Sequence, residues 1–160
     1  MGSTNVIKCI TKDCSYSEEL TEGLGTMWAL TIGRIQENPS DRTMLENFFS
    51  DISVDIGKAL DEGYKLEDIS EKILFCDSCK TLRSVQTWEC RKDNTIVSSI
   101  HNCEKCKCEL KPVEVEMLPV ENKLETDFKV VIKNKRKKIN YKCPRCCNEI
   151  FKITNMIMWD

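Results

Sequence analysis

The 160-residue sequence predicts an α+β protein in which a small N-terminal helical module precedes β-hairpins held by two four-cysteine metal sites. Three observations lead there. Eleven cysteines, mostly paired as Cys-x-x-Cys or with four residues between them, far exceed ordinary usage. Apolar residues in the first 75 positions recur at helical steps. Beyond position 80 they alternate or cluster with β-branched and aromatic residues, as strands do.

Between Ser17 and Asn38, Leu20, Leu24, Met27, Trp28, Ile32 and Ile35 fall mostly three or four residues apart and predict a first helix. Gly23, Gly25 and Gly33 weaken it, at about 1 kcal/mol each relative to alanine. Asn38-Pro39 ends it, because proline disfavours α geometry in the residue before it. Ser40 or Asp41 can cap a second helix, whose stripe of Leu45, Phe48, Phe49, Ile52, Ile56 and Leu60 stops before Gly63. A third, Leu66 to Leu74, presents Leu66, Ile69 and Ile73. Acidic residues such as Glu37, Glu46, Asp55, Asp61, Glu67 and Glu71 are placed on the outer faces as a solvated surface.

The β half begins with a hairpin, Leu82 to Glu89 and Thr95 to His101, around the polar turn Arg91 to Asn94. Pro112 to Met117 alternates like a half-buried strand, and Leu118 to Asp127 reads as a loop. Phe128 to Ile132 and Ile139 to Lys142 form a pair around the basic turn Asn134 to Lys138, and Ile150 to Trp159 is a final apolar strand. The chain thus divides into a helical segment with its own cysteine pair (1–75), a central hairpin (76–110) and a basic β segment (111–160).

Two residues between cysteines let both thiolates reach one cation from a tight turn, and two such turns complete a tetrahedron. Cys76, Cys79, Cys103 and Cys106 form the first such set. Cys143 and Cys146 need partners, and Cys9 and Cys14 are the simplest choice, tying the two ends together. The competing arrangement pairs Cys103/Cys106 with Cys143/Cys146 and Cys9/Cys14 with Cys76/Cys79. Zn2+, two per chain, is expected because such short elements need a redox-silent tetrahedral ion; the ligand set also suits iron or an iron–sulfur cluster. CEKCKCEL (103–110) and CPRCCNEI (143–150) read as two copies of one knuckle. Cys90, Cys108 and Cys147 are left over. Cys108 and Cys147, just past a knuckle, are expected to be small buried residues rather than exchangeable ligands, and His101 a strand residue rather than a ligand.

Neither a leader sequence nor an apolar run of about 20 residues is apparent, so an intracellular, reducing location without membrane contact is expected, where thiolates bind metal rather than form disulfides. Charge is uneven. Residues 1–72 hold 7 Lys/Arg and 14 Asp/Glu, while residues 73–160 hold 17 and 12. Lys129 to Arg145 contains no acid, and Lys133, Lys135, Arg136, Lys137 and Lys138 can reach phosphates, as can Arg91 and Lys92 at the hairpin tip. With one histidine, no glycine-rich phosphate loop and no Ser/His/Asp set, catalysis is not expected.

Residues 76–106 resemble the zinc ribbons of the transcription machinery, including the C-terminal ribbon of transcription elongation factor S and the small ribbon subunits of RNA polymerases. The likeness rests on the two Cys-x-x-Cys knuckles, their separation, and the run QTWECRKDN with Gln86, Arg91 and Asp93. It implies a zinc-ribbon hairpin and docking on RNA polymerase or another nucleic-acid machine, with a local nucleic-acid contact. The elongation factor's ribbon uses an Asp-Glu pair at its tip to promote RNA cleavage. Here the pair is Asp93-Asn94, so cleavage stimulation is not implied. From the residues alone, a protein–protein adaptor or inhibitor and a metal or redox sensor are the alternative readings.

Overall fold

Antiparallel pairing dominates the computed structural model, which describes residues 2–24, 26–38, 42–121, 123–134 and 137–159. The elements in order are β1 (Gly2–Cys9), β2 (Ser17–Gly23), α1 (Thr26–Glu37), α2 (Thr43–Phe48), α3 (Ser50–Asp61), β3 (Lys65–Cys76), β4 (Thr81–Lys92), β5 (Thr95–Ser98), β6 (Lys111–Pro112), β7 (Glu114–Pro119), β8 (Asp127–Asn134), β9 (Lys137–Asn140) and β10 (Ile150–Trp159). Strands of all three sequence segments join one ten-stranded sheet in the order β5-β4-β3-β2-β1-β10-β8-β7, with β6 on β3 and β9 on β8. The architecture is therefore mostly β, which corrects the expectation of an α+β protein with a helical module. No helix among the described residues is long and apolar enough to cross a membrane.

The sheet curls back on itself. β6 and β7 are separated only by Val113, whose amide donates to the Ile73 carbonyl at 3.0 Å. β6 pairs β3 while β7 pairs β8, so the path β3-β2-β1-β10-β8-β7 returns to its start. Ile7, Leu20, Ile73, Phe75, Leu82, Val130, Ile132, Tyr141 and Phe151 fill the interior of this curl. A second core lies between the helices and the outer part of β3, β4 and β5, built from Ile32, Ile35, Leu45, Phe49, Ile56, Leu66, Ile69, Trp88 and Cys90.

Two of the three expected helices change. Ser17–Gly23 is strand β2, paired along its length with β1, and only the part from Thr26 onward is helical. Gly23, at φ 121°, makes the break. Lys65–Cys76 is strand β3, not a helix. A bulge between Leu66 and Asp68 explains why this stretch imitates helical spacing. The extra residue puts Leu66 and Ile69 on one side although they are three positions apart, and both pack in the helical core. The second helix is present but divided at Phe49, whose φ of −136° and ψ of 45° leave the helical region. Its suggested caps, Ser40 and Asp41, lie outside the described residues. The hairpin β4–β5, the pair β8–β9 and the final strand β10 fall where their sequence patterns place them.

Candidate metal centres

Four-cysteine groups form at two places. Cys76, Cys79, Cys103 and Cys106 constitute one, and Cys9, Cys14, Cys143 and Cys146 the other, with the sulfurs of each group all within 4.8 Å of one another. This is the arrangement that joins the two ends of the chain; the alternative grouping is not formed. The Sγ separations are 3.4 Å for Cys76–Cys106, 3.4 Å for Cys9–Cys146 and 3.7 Å for Cys14–Cys143. A disulfide needs about 2.05 Å. Four sulfurs at about 2.3 Å from one ion stand about 3.8 Å apart, so both groups fit a tetrahedral metal.

The backbone repeats one knuckle three times. Lys80, Lys107 and Cys147, each four residues after the first cysteine of a pair, adopt φ of 54°, 62° and 61°. Their amides donate to the carbonyls of Cys76, Cys103 and Cys143, each at 2.8 Å. Residues 103–110 and 143–150 match further: Cys103 N–H donates to Cys108 O and Cys143 N–H to Asn148 O, again at 2.8 Å. The N-terminal pair uses a wider turn, closed by Cys14 N–H to Thr11 O at 3.1 Å, with Asp13 at φ 65°.

Electrostatics favour a bound cation. Amides of Cys106 and Lys105 hold the Cys103 thiol well below its ordinary value, and the Thr11 hydroxyl with the Asn148 amide does so for Cys146. Burial instead pushes Cys143 up to about 12 and raises Cys9. The two tendencies meet within one group, and a divalent ion resolves them by stabilising all four thiolates. Four thiolates around such an ion leave excess negative charge at each group. Arg83, Lys105 and Arg145 line a cleft of about 210 Å³ bordered by Cys103 of one group and by Pro144 of the other, where they offset it.

The knuckles are also clamped. Lys111 pairs with Asp77 at 3.2 Å and Arg83 with Glu104 at the first group. At the second, Arg145 bonds Ser15, and Asn148 Nδ2 donates to Thr11 Oγ1 at 2.7 Å. The first group sits among Leu74, Leu110 and Val85. Sequence spacing identified all eight sulfur positions but not Thr11, Asn148 or the clamping ion pairs, whose side chains approach only in the fold.

Cys90 is buried in the helical core, its thiol pushed up to about 11 by burial. Cys108 and Cys147 are exposed, contrary to expectation. Each lies at the outer lip of a knuckle; Ser78 Oγ donates to Cys108 Sγ at 3.4 Å. His101 lies past the end of β5 rather than in a strand and belongs to neither group. Cys147 holds a left-handed conformation that glycine adopts without penalty. Cys147→Gly is therefore expected to keep two metal ions by native mass spectrometry and to raise stability by about 1 kcal/mol in thermal melts.

The cationic residues fall into two sets on strands that are not neighbours in the sheet. At the β4 tip, Arg91 pairs with Glu67 at 2.7 Å and Glu89 at 3.7 Å. Lys92 donates to Glu62 O at 2.6 Å and stands 5.8 Å from the Tyr64 ring centre. These two residues are engaged within the fold, holding the β4 tip against β3 and the end of α3. In the β8–β9 hairpin, Lys133 and Lys138 share Glu116, at 3.1 and 3.9 Å, and Lys137 is exposed. Lys135 and Arg136 lie outside the described residues.

Fold and sulfur geometry together define the class, a mostly-β protein carrying two four-cysteine groups that can each hold a metal ion. Comparison with protein-family models, curated proteins and solved structures finds no match for the chain.

Proposed function

We propose that this is a non-enzymatic, zinc-stapled binding protein that docks on a nucleic-acid-handling assembly, with a transcription complex as the leading case. Zinc is the fitting ion because both centres offer four cysteine sulfurs and no open position, the pattern of a structural rather than a catalytic site. The β8–β9 hairpin carries the nucleic-acid part of the reading. All four residues of β9 are exposed, and among the described residues Glu116 is the one carboxylate paired with the hairpin's lysines. Lys133, Lys137 and Lys138, with Lys135 and Arg136 in the sequence between them, form the contact, rather than Arg91 and Lys92. Fluorescence anisotropy with a single-stranded RNA across a salt series tests this. Lys137→Glu with Lys138→Glu is expected to weaken binding and to lower the salt slope by about 0.7 for each phosphate no longer neutralised. Wild-type affinity that ignores salt removes the phosphate contact.

A zinc-stapled adaptor or inhibitor without nucleic-acid contact is the second reading, favoured by Leu30 on α1 and Val54 on α3, which are apolar yet exposed. Salt-independent capture of a protein partner distinguishes it. The exposed thiols Cys108 and Cys147 favour a metal- or redox-sensing variant, in which affinity changes with chelator or peroxide.

A further inference from the structure

The outer half of β10 is an open, uncharged strand edge. β8 pairs with β10 only over Ile150, Phe151 and Lys152, and the last tie on that side is Ile153 N–H to Thr126 O at 3.1 Å. From Thr154 to Trp159 the described residues pair β10 with β1 alone. Met156, Ile157 and Met158 are 60%, 50% and 76% exposed, so both faces of the strand present apolar side chains. From Ile153 to Trp159 there is neither a charge nor a proline.

Other edges of the sheet carry the devices that prevent edge-to-edge pairing. β9 begins with Lys137 and Lys138, β7 carries Glu114, Glu116 and Pro119, and β5 is only four residues long. The β10 edge carries none of these. It is also held in extended form: Trp159 Nε1 donates to Thr4 Oγ1 at 3.2 Å, and its indole lies so close over Gly2 that a Cβ there would collide with it.

We infer that this edge pairs with the same edge of a second copy of the chain, antiparallel and across a two-fold axis at Ile157. Antiparallel geometry sets the register. Residues directly opposite must share hydrogen-bonding phase, so the axis passes through a residue and not between two. β8 fills the outer side as far as Lys152, and an axis at Met156 would bring Trp159 of the second copy against Ile153 and Thr126. At Ile157 the pairing stays within the open window, with Met156 opposite Met158 of the second copy and Asn155 opposite its Trp159. A second copy is the fitting occupant because an uncharged edge meets its own image without like-charge repulsion and buries the exposed methionines on both sides.

The test is a charge swap on the axis, read by sedimentation velocity on full-length, metal-loaded protein. Wild type is expected to sediment as a dimer at tens of micromolar. Ile157→Lys and Ile157→Glu place like charges opposite each other and are each expected to sediment as monomers, with two metals per chain retained. An equimolar mixture of the two is expected to recover the dimer. A monomeric wild type, as a strand from another protein would require, overturns the proposal, as do dimeric single variants or a mixture that stays monomeric. If either variant loses its metal, Met156→Lys with Met158→Lys against Met156→Glu with Met158→Glu repeats the swap at the flanking pairs, where like charges again stand opposite each other in each variant alone, with the same outcomes.

Discussion

Cys103→Ser is expected to cost the chain one of its two metal ions and to unfold the region around the first centre. Cys103 is buried beside Cys76, within a cluster completed by Leu74 and Leu110. Serine cannot supply a thiolate, and three sulfurs with an alcohol bind zinc far more weakly. Binding to a structural four-cysteine site contributes about 10–16 kcal/mol in small zinc elements, comparable with the roughly 5–15 kcal/mol of net stability of a whole domain. The loss spreads because Leu74 and Phe75, next to Cys76, pair with β6, and that pairing closes the curl of the sheet. Native mass spectrometry should give one metal per chain, and circular dichroism a broadened, lowered melt. Cys108→Ser, at an exposed thiol beside the same knuckle, is the control and should retain two. A Cys103→Ser protein that keeps two metals and a native melt would refute the assignment of this centre.

The centres were legible because their information is local. A Cys-x-x-Cys pair and the left-handed residue after it form one turn, so spacing alone marks Cys76/Cys79, Cys103/Cys106 and Cys143/Cys146. Joining Cys9/Cys14 to Cys143/Cys146 followed from first assigning Cys76/Cys79 and Cys103/Cys106 to the two ends of one hairpin, which leaves those two pairs for each other. Strands β4, β5, β8, β9 and β10 were legible for a related reason, since each has a hairpin turn or a clean apolar run. β2 and β3 were not. In β3 a one-residue bulge shifts the side-chain alternation, and Leu66, Ile69 and Ile73 then match a helical face as well as a strand. In β2, Leu20 and Thr21 are neighbours and both buried, which breaks the period-2 pattern. The closure of the sheet through Val113 depends on a contact across 40 residues, from position 73 to position 113, which no local pattern encodes. Charge misleads in the same way: Arg91 and Lys92 look free in sequence, yet Glu67 and the carbonyl of Glu62 take them up in the fold.

Phe151→Ala is the second large effect expected, and it tests the interior of the curl independently of metal. Phe151 is fully buried. Its ring stacks on Tyr141 with centroids 5.5 Å apart at 23° and meets Tyr16 edge-on at 6.3 Å and 67°. It also stands opposite Cys9 on β1 and Phe128 on β8, so one side chain links three strands to the second centre. Truncation removes the ring and leaves a cavity that surrounding strands, fixed by their ladders, can fill only in part. The expected cost is about 3–5 kcal/mol, a fall in Tm of roughly 10 °C. Tyr16→Phe is the comparison that isolates packing. The Tyr16 hydroxyl lies 2.7 Å from that of Tyr141 and donates to Glu18 Oε2 at 3.5 Å, so removing it costs one buried hydrogen bond, about 1 kcal/mol. A Phe151→Ala protein as stable as Tyr16→Phe would show that the curl does not depend on this cluster. A large loss with two metals still bound below the melt would show that the aromatic interior and the sulfur centres hold the two ends of the chain by separate means.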